Sequence, residues 1–462
     1  MSHTLALDKP RIYRSRRPEK TILYRTVQSE LESWLEERSF NNELPFFVEK
    51  EFRSFLRCGI LAYGFARAHC AGCGHDFLIA FSCKGRGFCP SCNTRRMVET
   101  AAHLTDHVFP KVPVRQWVLS LPKRFRYYLQ QNPKYVGPVL RILVSSIEKV
   151  LIVNVPCEPS RCRLGAVSFL QRFGSVLNLH FHFHSCIMDG VFDREGNFYP
   201  VDYLTKEEIK GVEEDVRRRV TRFFIRKGIL EEEEAARMLG WEHGGFSLDA
   251  SVRIEAQDRA GLERLLRYCA RPIFASCRLE KEGERLKYVL SKAGRTKELY
   301  LKPFELLDRL ALLIPPPRRH RHMYHGVLAP NSPLRPIVVS CAGKEIVNND
   351  QKARLFWESI LPEVPEEETV MHTAPVSEGF ISLEEIRPCK IGWAKLLARI
   401  YEVEPLVCPK CGSSMRIVSF IEDREVIHRI LYCINEPIDP PQIASARGPP
   451  EMEFEYNQRW LE

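Results

Sequence analysis

The segment VLNLHFHFHSCIMDGVF, residues 176–192, decides the fold that we predict for the centre of the chain. Apolar and polar residues alternate along it, which is the period of a β-strand with two chemically different faces. One face is apolar, and the other carries the imidazoles of His180, His182 and His184. We therefore predict a strand with three histidines in a row on one face.

Histidines two residues apart on a strand can direct their ring nitrogens at one metal ion, because the sheet beneath fixes their separation. With carboxylate or water ligands completing the shell, the ion would be Mg²⁺ or Mn²⁺, and it would polarise a phosphodiester. The alternative is that the histidines only pack in a core. Three imidazoles backed by an apolar face favour a catalytic divalent-metal site formed by His182, His184 and His180.

The residues on either side of this strand predict a mixed helix and strand order. Short or alternating apolar runs indicate strands at 114–120, 165–171 and 245–255, and longer periodic runs indicate helices at 135–153 and 207–227. Asp258 suits the N-cap of a further helix, which Pro272 ends. Tyr268 lies beside the apolar stripe of that helix, so its side chain can project over a neighbouring sheet.

The chain has 16 cysteines, six of them between residues 58 and 92. Four follow the spacing C-x2-C-x15-C-x2-C, in which each pair can chelate from a tight turn and four thiolates can close a tetrahedral Zn²⁺ site. A site with four protein ligands leaves no open position, so we expect this zinc to be structural. The predicted ligands are Cys70, Cys73, Cys89 and Cys92, with Cys58, His69, His75 and Cys83 as spare residues.

A second cysteine pair, Cys408 and Cys411, resembles half of another zinc site. Cys433 or His428 could complete it, and the alternative is a reduced structural turn. The pair lies in a region that reads as a helix, a cysteine turn, a strand and a second helix. An acidic, proline-containing linker precedes this region, and a proline-rich tail follows residue 437.

The formal net charge is +9 and the pI is near 8.8, so an anionic partner is plausible from the charge balance. Basic residues gather with aromatics at 9–20, 123–128 and 318–325, a combination that can bind phosphates and stack on unpaired bases. The alternative is a solvated surface, and we expect the segment at 318–325 to be a basic surface loop. Around the cysteines we expect DNA contacts from Lys84, Arg86, Arg95 and Arg96.

The composition excludes several classes of protein. With 44% hydrophobic and 27% charged residues the chain is neither wholly disordered nor collagen-like. No stretch reaches the ~20 apolar residues of a membrane-spanning helix, and the first residues lack a signal-peptide core. We therefore expect a cytoplasmic protein without a membrane partner. No G-x-x-x-x-G-K-[ST] loop occurs.

Four motifs, LNLHFHFHSCIMDGVF, GFSLDASVRI, LLRYCARP and RRHRHMYHGVLAPNSPLR, follow the cysteine-rich segment in that order. Together they resemble the rolling-circle transposases of the insertion sequence 91 family, a branch of the HUH single-strand endonucleases, over roughly residues 25–435. The resemblance implies an α+β fold with a central antiparallel sheet. The His-hydrophobic-His metal pair best matches residues 182–184, with residues 180–182 as a competing register.

The same resemblance places the nucleophile at Tyr268 and adds Arg271 to the DNA-binding residues. Many relatives have two tyrosines four residues apart, whereas Arg264 and Pro272 occupy those positions here. The chain therefore resembles the single-tyrosine subgroup, which casts doubt on a scheme with two adjacent tyrosines. Tyr288, Tyr300 and Tyr324 are the substitutes, although no motif supports them.

The implied activity is the nicking and rejoining of single-stranded DNA at element ends and targets, through a 5′-phosphotyrosine and with a divalent metal. Tyrosine is normally protonated at pH 7, so the attack needs proton removal or an activated phosphate. Strand unwinding would come from a host helicase or from replication, and the resemblance also implies association with a bacterial nucleoid. Two alternatives remain: a zinc-stabilised DNA-binding regulator without catalysis, and a metal-dependent phosphodiesterase that uses activated water.

The domain organisation predicted from these motifs has five parts. They are a basic helical segment (1–57), a zinc-binding domain (58–105), an HUH nickase domain (106–344), a linker (345–390) and a C-terminal CxxC module with its tail (391–462).

Overall fold

The structure is a computed structural model, and it describes residues 16–39, 44–292, 295–346 and 406–447. Helices and antiparallel sheets share the described chain, so the α+β class predicted from the sequence is confirmed. The predicted linker lies outside the described residues from residue 347 onward, as do the first 15 residues. None of the described helices has the length and apolar character needed to cross a membrane.

The helices of the described chain begin and end close to the positions that sequence periodicity indicates. The side chain of Asp258 accepts a hydrogen bond from the backbone N–H of Gly261, so the predicted N-cap is confirmed. The α-helices are α1 (Ile22–Ser39), α2 (Phe46–Arg57), α3 (Pro90–His107), α4 (Lys123–Gln131), α5 (Val136–Val153), α6 (Lys206–Arg226), α7 (Glu232–Leu239), α8 (Arg259–Cys269), α9 (Pro303–Leu313), α10 (Arg335–Ser340) and α11 (Arg424–Cys433).

The strands form four sheets in the described part of the chain. The largest has six strands in the order β13-β4-β5-β3-β8, with β9 also paired to β3, and its neighbours are antiparallel. The strands are β1 (Phe65–Cys70), β2 (Asp76–Ala80), β3 (Val114–Ser120), β4 (Gly165–Phe173), β5 (Leu179–Met188), β6 (Gly190–Phe192), β7 (Phe198–Pro200), β8 (Ser247–Asp249), β9 (Arg253–Ile254), β10 (Leu279–Glu282), β11 (Arg285–Lys292), β12 (Arg295–Leu301), β13 (His322–Gly326) and β14 (Met415–Ile421).

Two predicted segments of the central sheet differ from the structure. The single strand expected at 245–255 is split into β8 and β9, because three residues (250–252) face only two residues of β3 between the paired stretches. One extra residue in a ladder leaves a bulge that interrupts pairing. The basic segment at 318–325, expected as a surface loop, instead contributes β13, which pairs with β4 at the edge of the sheet.

Helices cover both faces of the central sheet. On one face Phe181 and Phe183 of β5 are buried with the apolar residues of α5 and α6. On the other face Leu262 and Leu266 of α8 are buried with Cys186 of β5. Burying a side chain of this size stabilises the fold by about 1.5–3 kcal/mol, so the alternation along β5 fixes which face receives which helices. The histidines lie on the face that α8 covers.

The N-terminal helices belong to a second core. Apolar residues of α1, α2 and α9 are buried together with residues of the β10-β11-β12 sheet. A third core forms around α3 and α8, which pack against each other and join the cysteine-rich segment to the central sheet.

The end of the described chain returns to its beginning. Strand β14 pairs antiparallel with β1, with Phe65 opposite Ile421 and Cys70 opposite Met415. The resulting sheet has the order β14-β1-β2. Residues that we predicted as part of a separate C-terminal module therefore share a sheet with the cysteine-rich segment. The physical reason is that β1 presents a second edge, which β14 satisfies by backbone hydrogen bonds.

Candidate active site and metal centres

The three histidines of β5 form a row on one face of the central sheet. The ring centroids of His180 and His182 lie 4.9 Å apart, and those of His182 and His184 also lie 4.9 Å apart. The row results from the two-residue period of the strand, which places alternate side chains on the same face. The side-by-side arrangement predicted from the alternation is confirmed.

Burial sets the protonation state of two of these rings. His182 is 8% exposed and His184 is 2% exposed. Burial disfavours the charged imidazolium and lowers the pKa of His182 to about 4 and that of His184 to about 3. Both imidazoles are therefore neutral near pH 7, and a neutral imidazole has a nitrogen lone pair that can bind a metal.

A hydrogen bond to Gln116 of β3 orients the innermost ring. Nε2 of the Gln116 amide lies 2.9 Å from Nδ1 of His184, while Nε2 of His184 is buried and has no hydrogen-bond partner among the described residues. As placed, the amide donates to Nδ1; with the amide rotated by 180°, its oxygen accepts from Nδ1–H instead and the lone pair of Nε2 is available. A buried nitrogen without a partner suits a metal ligand, so the donor chemistry fits a divalent cation.

The third histidine does not complete a three-ligand set. Nδ1 of His182 lies 3.0 Å from the carbonyl oxygen of His180 and 3.1 Å from Nδ1 of His180. In the described chain the groups of three or more ligand atoms within 4.8 Å of one another are both made of cysteines. The rings of His180, His182 and His184 are thus adjacent, but their nitrogens do not converge on one point.

Helix α8 brings Tyr268 to the histidine row. The ring of Tyr268 stands edge-on to that of His184, with centroids 5.5 Å apart and planes at 86°. Because Tyr268 lies beside the buried stripe of α8, its side chain remains 47% exposed and open to a large substrate. The guanidinium of Arg271 lies over the same ring, 4.8 Å from its centroid.

Gln171 of β4 fastens the end of α8 to the sheet. Its Nε2 donates to the carbonyl oxygens of Tyr268 and Cys269 at 3.2 and 2.9 Å, and its Oε1 accepts from Nε of Arg271 at 3.2 Å. In the sheet register Gln171 lies directly opposite His182. One side chain therefore links the strand beside the histidines to the backbone of the tyrosine.

The other candidate tyrosines have different surroundings. Tyr288 is 3% exposed within the N-terminal core, and the hydroxyl of Tyr300 donates to Glu298 on β12. Tyr324 lies on β13, with the guanidinium of Arg335 over its ring. Of the four tyrosines, Tyr268 is the one with a described ring contact to a histidine of β5.

The cysteine-rich segment contains a first cluster that differs from the predicted ligand set. The ligand atoms of Cys58, Cys83, Cys89 and Cys92 all lie within 4.8 Å of one another. Individual Sγ–Sγ distances are 3.6 Å for Cys58–Cys92, 3.4 Å for Cys83–Cys92 and 3.7 Å for Cys58–Cys89. A tetrahedral Zn²⁺ site with Zn–S bonds of about 2.3 Å has sulfur–sulfur edges of roughly 3.8 Å.

A second cluster joins the two ends of the described chain. It contains Cys70 and Cys73 together with Cys408 and Cys411. Sγ of Cys70 lies 3.5 Å from that of Cys411, and Sγ of Cys73 lies 3.5 Å from that of Cys408. These distances also match the edges of a zinc tetrahedron.

The two halves of the second cluster have the same turn. In each half, the backbone N–H of the first cysteine donates to the carbonyl oxygen of the residue five positions later. The backbone N–H of a glycine donates to the carbonyl oxygen of that same cysteine. The glycines, Gly74 and Gly412, have φ values of +72° and +75°, a conformation that side-chain-bearing residues rarely adopt. The shared C-x-x-C-Gly pattern is the sequence signal that could have paired them.

The single site predicted from Cys70, Cys73, Cys89 and Cys92 is therefore corrected to two clusters. The C-x2-C pairs do not face each other, because Cys70 and Cys73 lie at the turn between β1 and β2 while Cys89 precedes α3. Cys58 and Cys83, predicted as spare, complete the first cluster. His69 is spare as expected, and its Nδ1 lies 2.8 Å from Asp76.

Three of the five predicted DNA-binding cations line one cleft, from two sides. Arg86 and Arg96 from the cysteine-rich segment line it together with Arg271. Lys84 is exposed nearby, and its carbonyl oxygen accepts a hydrogen bond from Arg96 at 3.0 Å. Arg95 is half-buried on α3.

Sequence reasoning missed Gln116 and Gln171, because a single glutamine in a strand gives no local signal.

Two family models match parts of the chain. A family described as "Transposase zinc-binding domain" matches residues 26–121, and one described as "Putative transposase" matches residues 165–334. The first range contains all four cysteines of the first cluster and one pair of the second. The second range contains β5 and α8. No curated protein and no solved structure matches the chain.

Proposed function

The chain belongs to the insertion sequence 91 family of transposases, and we propose that it nicks and rejoins single-stranded DNA through a phosphotyrosine on Tyr268. One observation carries this proposal: the ring of Tyr268 stands edge-on to the buried ring of His184, 5.5 Å away, on the sheet face that bears the histidine row. A phenol, buried imidazole nitrogens and a guanidinium thus lie together beside an open surface, which supports the proposal.

The proposed reaction is a phosphoryl transfer that conserves the phosphodiester. The phenolic oxygen of Tyr268 attacks the scissile phosphorus, the bond from phosphorus to O3′ breaks, and the phosphorus stays attached to the downstream strand as a 5′-phosphotyrosine. The phenolic proton leaves to solvent and the departing O3′ takes up a proton. A later 3′-hydroxyl reverses the same step, so no nucleotide hydrolysis is needed.

The residues around Tyr268 support this chemistry in distinct ways. The guanidinium of Arg271 lies over its ring and can pair with a phosphate oxygen that approaches from solvent. Gln171 holds the backbone of the tyrosine, which limits its displacement from the histidines. Fixing reacting groups in this way removes much of the entropic cost of the attack.

His182 and His184 would hold a divalent cation, with the remaining positions filled by water or by substrate oxygens. Both rings are neutral near pH 7 because of their burial, and Nε2 of His184 is buried without a partner. A bound Mg²⁺ or Mn²⁺ would supply Lewis-acid polarisation of the scissile phosphate. His180 would act through its contacts with His182 rather than as a third ligand.

The two cysteine clusters suit structural Zn²⁺, because four thiolates leave no position for a substrate. We propose DNA at element ends and targets as the partner, with unwinding supplied by a host helicase or by replication. The proposed domains follow the predicted boundaries, except that the C-terminal cysteines work with the N-terminal ones.

The test is to incubate the protein with end-labelled single-stranded DNA from candidate element ends and Mn²⁺. A protein–DNA adduct that survives denaturation is expected, and Tyr268→Phe should abolish it. Tyr300→Phe is the matched control, because Tyr300 is also about half exposed but lies on β12. Cleavage without an adduct would favour a phosphodiesterase that uses water, and retention without cleavage would favour a DNA-binding regulator.

His182→Ala and His184→Ala give an independent test of the metal site. Each should abolish adduct formation while leaving retention of single-stranded DNA within a few-fold of the wild type. Full activity in both variants would remove the histidine row from the mechanism.

A further inference from the structure

A cleft between the cysteine-rich segment and the central sheet is lined by five arginines, which we call the arginine groove: Arg86, Arg96, Arg172, Arg271 and Arg321. No aspartate or glutamate is among the described residues that line it. Five cations that face one cleft without an acidic lining residue repel one another, so the groove favours an anionic occupant.

Different parts of the chain supply the two walls of the groove. Arg86 follows Cys83 of the first cluster, and Arg96 lies on α3, which begins directly after Cys89. The opposite wall comes from the central sheet and α8, through Arg172 on β4, Arg321 next to β13 and Arg271 after α8. The width of the groove therefore depends on how the first cysteine cluster is held against the sheet.

Two of the arginines, Arg172 and Arg321, are half-buried and form no ion pair with a carboxylate among the described residues. Nε of Arg172 is buried and has no hydrogen-bond partner among the described residues, and its guanidinium lies over the ring of Phe181 at 5.2 Å. Burial, together with the charges of Arg96 and Arg86, lowers the pKa of Arg321 to about 10. Holding such cations in place costs free energy that a bound anion would recover.

One carboxylate acts on this cluster from outside the lining. Glu51 of α2 raises the pKa of Arg321 and of Arg86 slightly, against the larger effect of burial. Its two oxygens accept hydrogen bonds from the backbone N–H groups of Arg86 and Gly87, at 3.1 and 3.0 Å. Glu51 therefore shapes the loop and leaves the guanidinium groups of Arg172 and Arg321 available.

The groove continues beyond the edge of the central sheet. A second cleft shares Arg172 and Arg321 with it and extends to Lys134, Arg318 and Arg319, again without an acidic residue among its described lining. At the other end Arg271 lies over the ring of Tyr268. The cations thus follow a continuous path from the tyrosine, across the sheet edge, to α5.

We infer that the arginine groove binds the backbone of the single DNA strand next to the scissile phosphate, with Arg172 and Arg321 each contacting a phosphate. This inference rests on the proposed function and adds the path of the substrate. A chain of phosphodiesters matches a line of cations, whereas a single small anion would need one compact site. Part of the path is supplied by the first cysteine cluster, so its metal also supports substrate binding.

The experiment measures equilibrium binding of a fluorescent single-stranded oligonucleotide to the full chain across a salt series. Arg172→Gln and Arg321→Gln should each weaken binding roughly tenfold. Each should also reduce the slope of log affinity against log salt by about 0.7, the value for one lost phosphate contact on a single strand. Arg218→Gln on α6, an exposed arginine outside both clefts, is the control and should bind as the wild type does.

Thermal unfolding separates a binding role from a structural one. Removing a half-buried cation that has no carboxylate partner should leave the melting temperature of Arg172→Gln unchanged or raise it, while Arg172→Lys should restore the salt slope. A wild-type affinity and slope in both variants would overturn the inference. A lowered melting temperature with loss of bound zinc would also overturn it, since the arginines would then serve the fold.

The adduct assay keeps this inference separate from the proposed function. If the wild type forms no adduct but the variants bind less DNA, the proposed nicking activity is contradicted and DNA binding in the arginine groove is supported. If the wild type forms the adduct and the variants bind DNA normally, the nicking activity is supported and DNA binding in the groove is contradicted.

Discussion

Sγ of Cys70 lies 3.5 Å from Sγ of Cys411, although 341 residues separate them in the sequence. With Cys73 and Cys408 they form a cluster whose halves come from the end of β1 with the turn before β2 and from the turn that precedes β14. A metal bound there would close a loop of more than three hundred residues. Cross-linking distant positions restricts the unfolded chain most when the loop is long.

The metal content of the chain should reflect two sites. We expect about two Zn²⁺ per chain, because each cluster has four thiolates and one closed coordination shell. Cys408→Ser should lower the content to about one, and Cys83→Ser should do the same through the other cluster. The measurement is elemental analysis after gel filtration. Cys433→Ser is the control, since Cys433 is exposed and outside both clusters, and it should retain both ions. A wild-type content of one ion would contradict the second site.

The second cluster should hold the C-terminal segment after the chain is cut. A specific protease site inserted between residues 347 and 405 would divide the protein into two fragments. With zinc present we expect them to elute together on gel filtration, because the cluster and the β1–β14 pairing span the cut. A chelator should release the C-terminal fragment. Co-elution that persists in Cys408→Ser with chelator would show that β-pairing alone is sufficient.

Gln116 should position His184 rather than act on the substrate. Gln116→Ala removes the group that lies 2.9 Å from Nδ1 and so releases the ring orientation. Loss of such an outer contact lowers metal affinity by about 10–100-fold, so the Mn²⁺ concentration for half-maximal cleavage should rise by that factor. Cleavage at saturating Mn²⁺ should recover most of the wild-type rate. An unchanged Mn²⁺ requirement would remove Gln116 from the site.

Gln171 should affect the chemical step more than DNA binding. Gln171→Ala removes the side-chain donor to the carbonyl oxygens of Tyr268 and Cys269 and frees the side chain of Arg271. We expect adduct formation to slow by roughly 10- to 100-fold, because a small displacement of a nucleophile costs about that much. Affinity for single-stranded DNA should change by less than threefold. A proportional loss of binding and cleavage would assign Gln171 to the DNA surface instead.

Much of the fold around the central sheet could be predicted from local pattern. The two-residue alternation around His182 and Phe183 requires a strand with unlike faces, and the spacing of Leu262 and Leu266 requires an amphipathic helix. These periods follow from backbone geometry, which acts over a few residues. The split of the 245–255 strand was not predictable, because a bulge depends on the partner strand.

The sequence by itself determined the residue types of each site: a histidine row on a strand, a tyrosine beside the apolar stripe of a helix, and C-x-x-C turns that can chelate. Only the tertiary structure decided which cysteines share a cluster, that Gln116 and Gln171 support His184 and Tyr268, and that five arginines line one groove. The physical reason is the distance along the chain over which each kind of interaction acts. Spacing along a chain fixes local turns and faces, whereas the partner of a turn or a cation is set by strand pairing and helix packing between segments far apart in sequence.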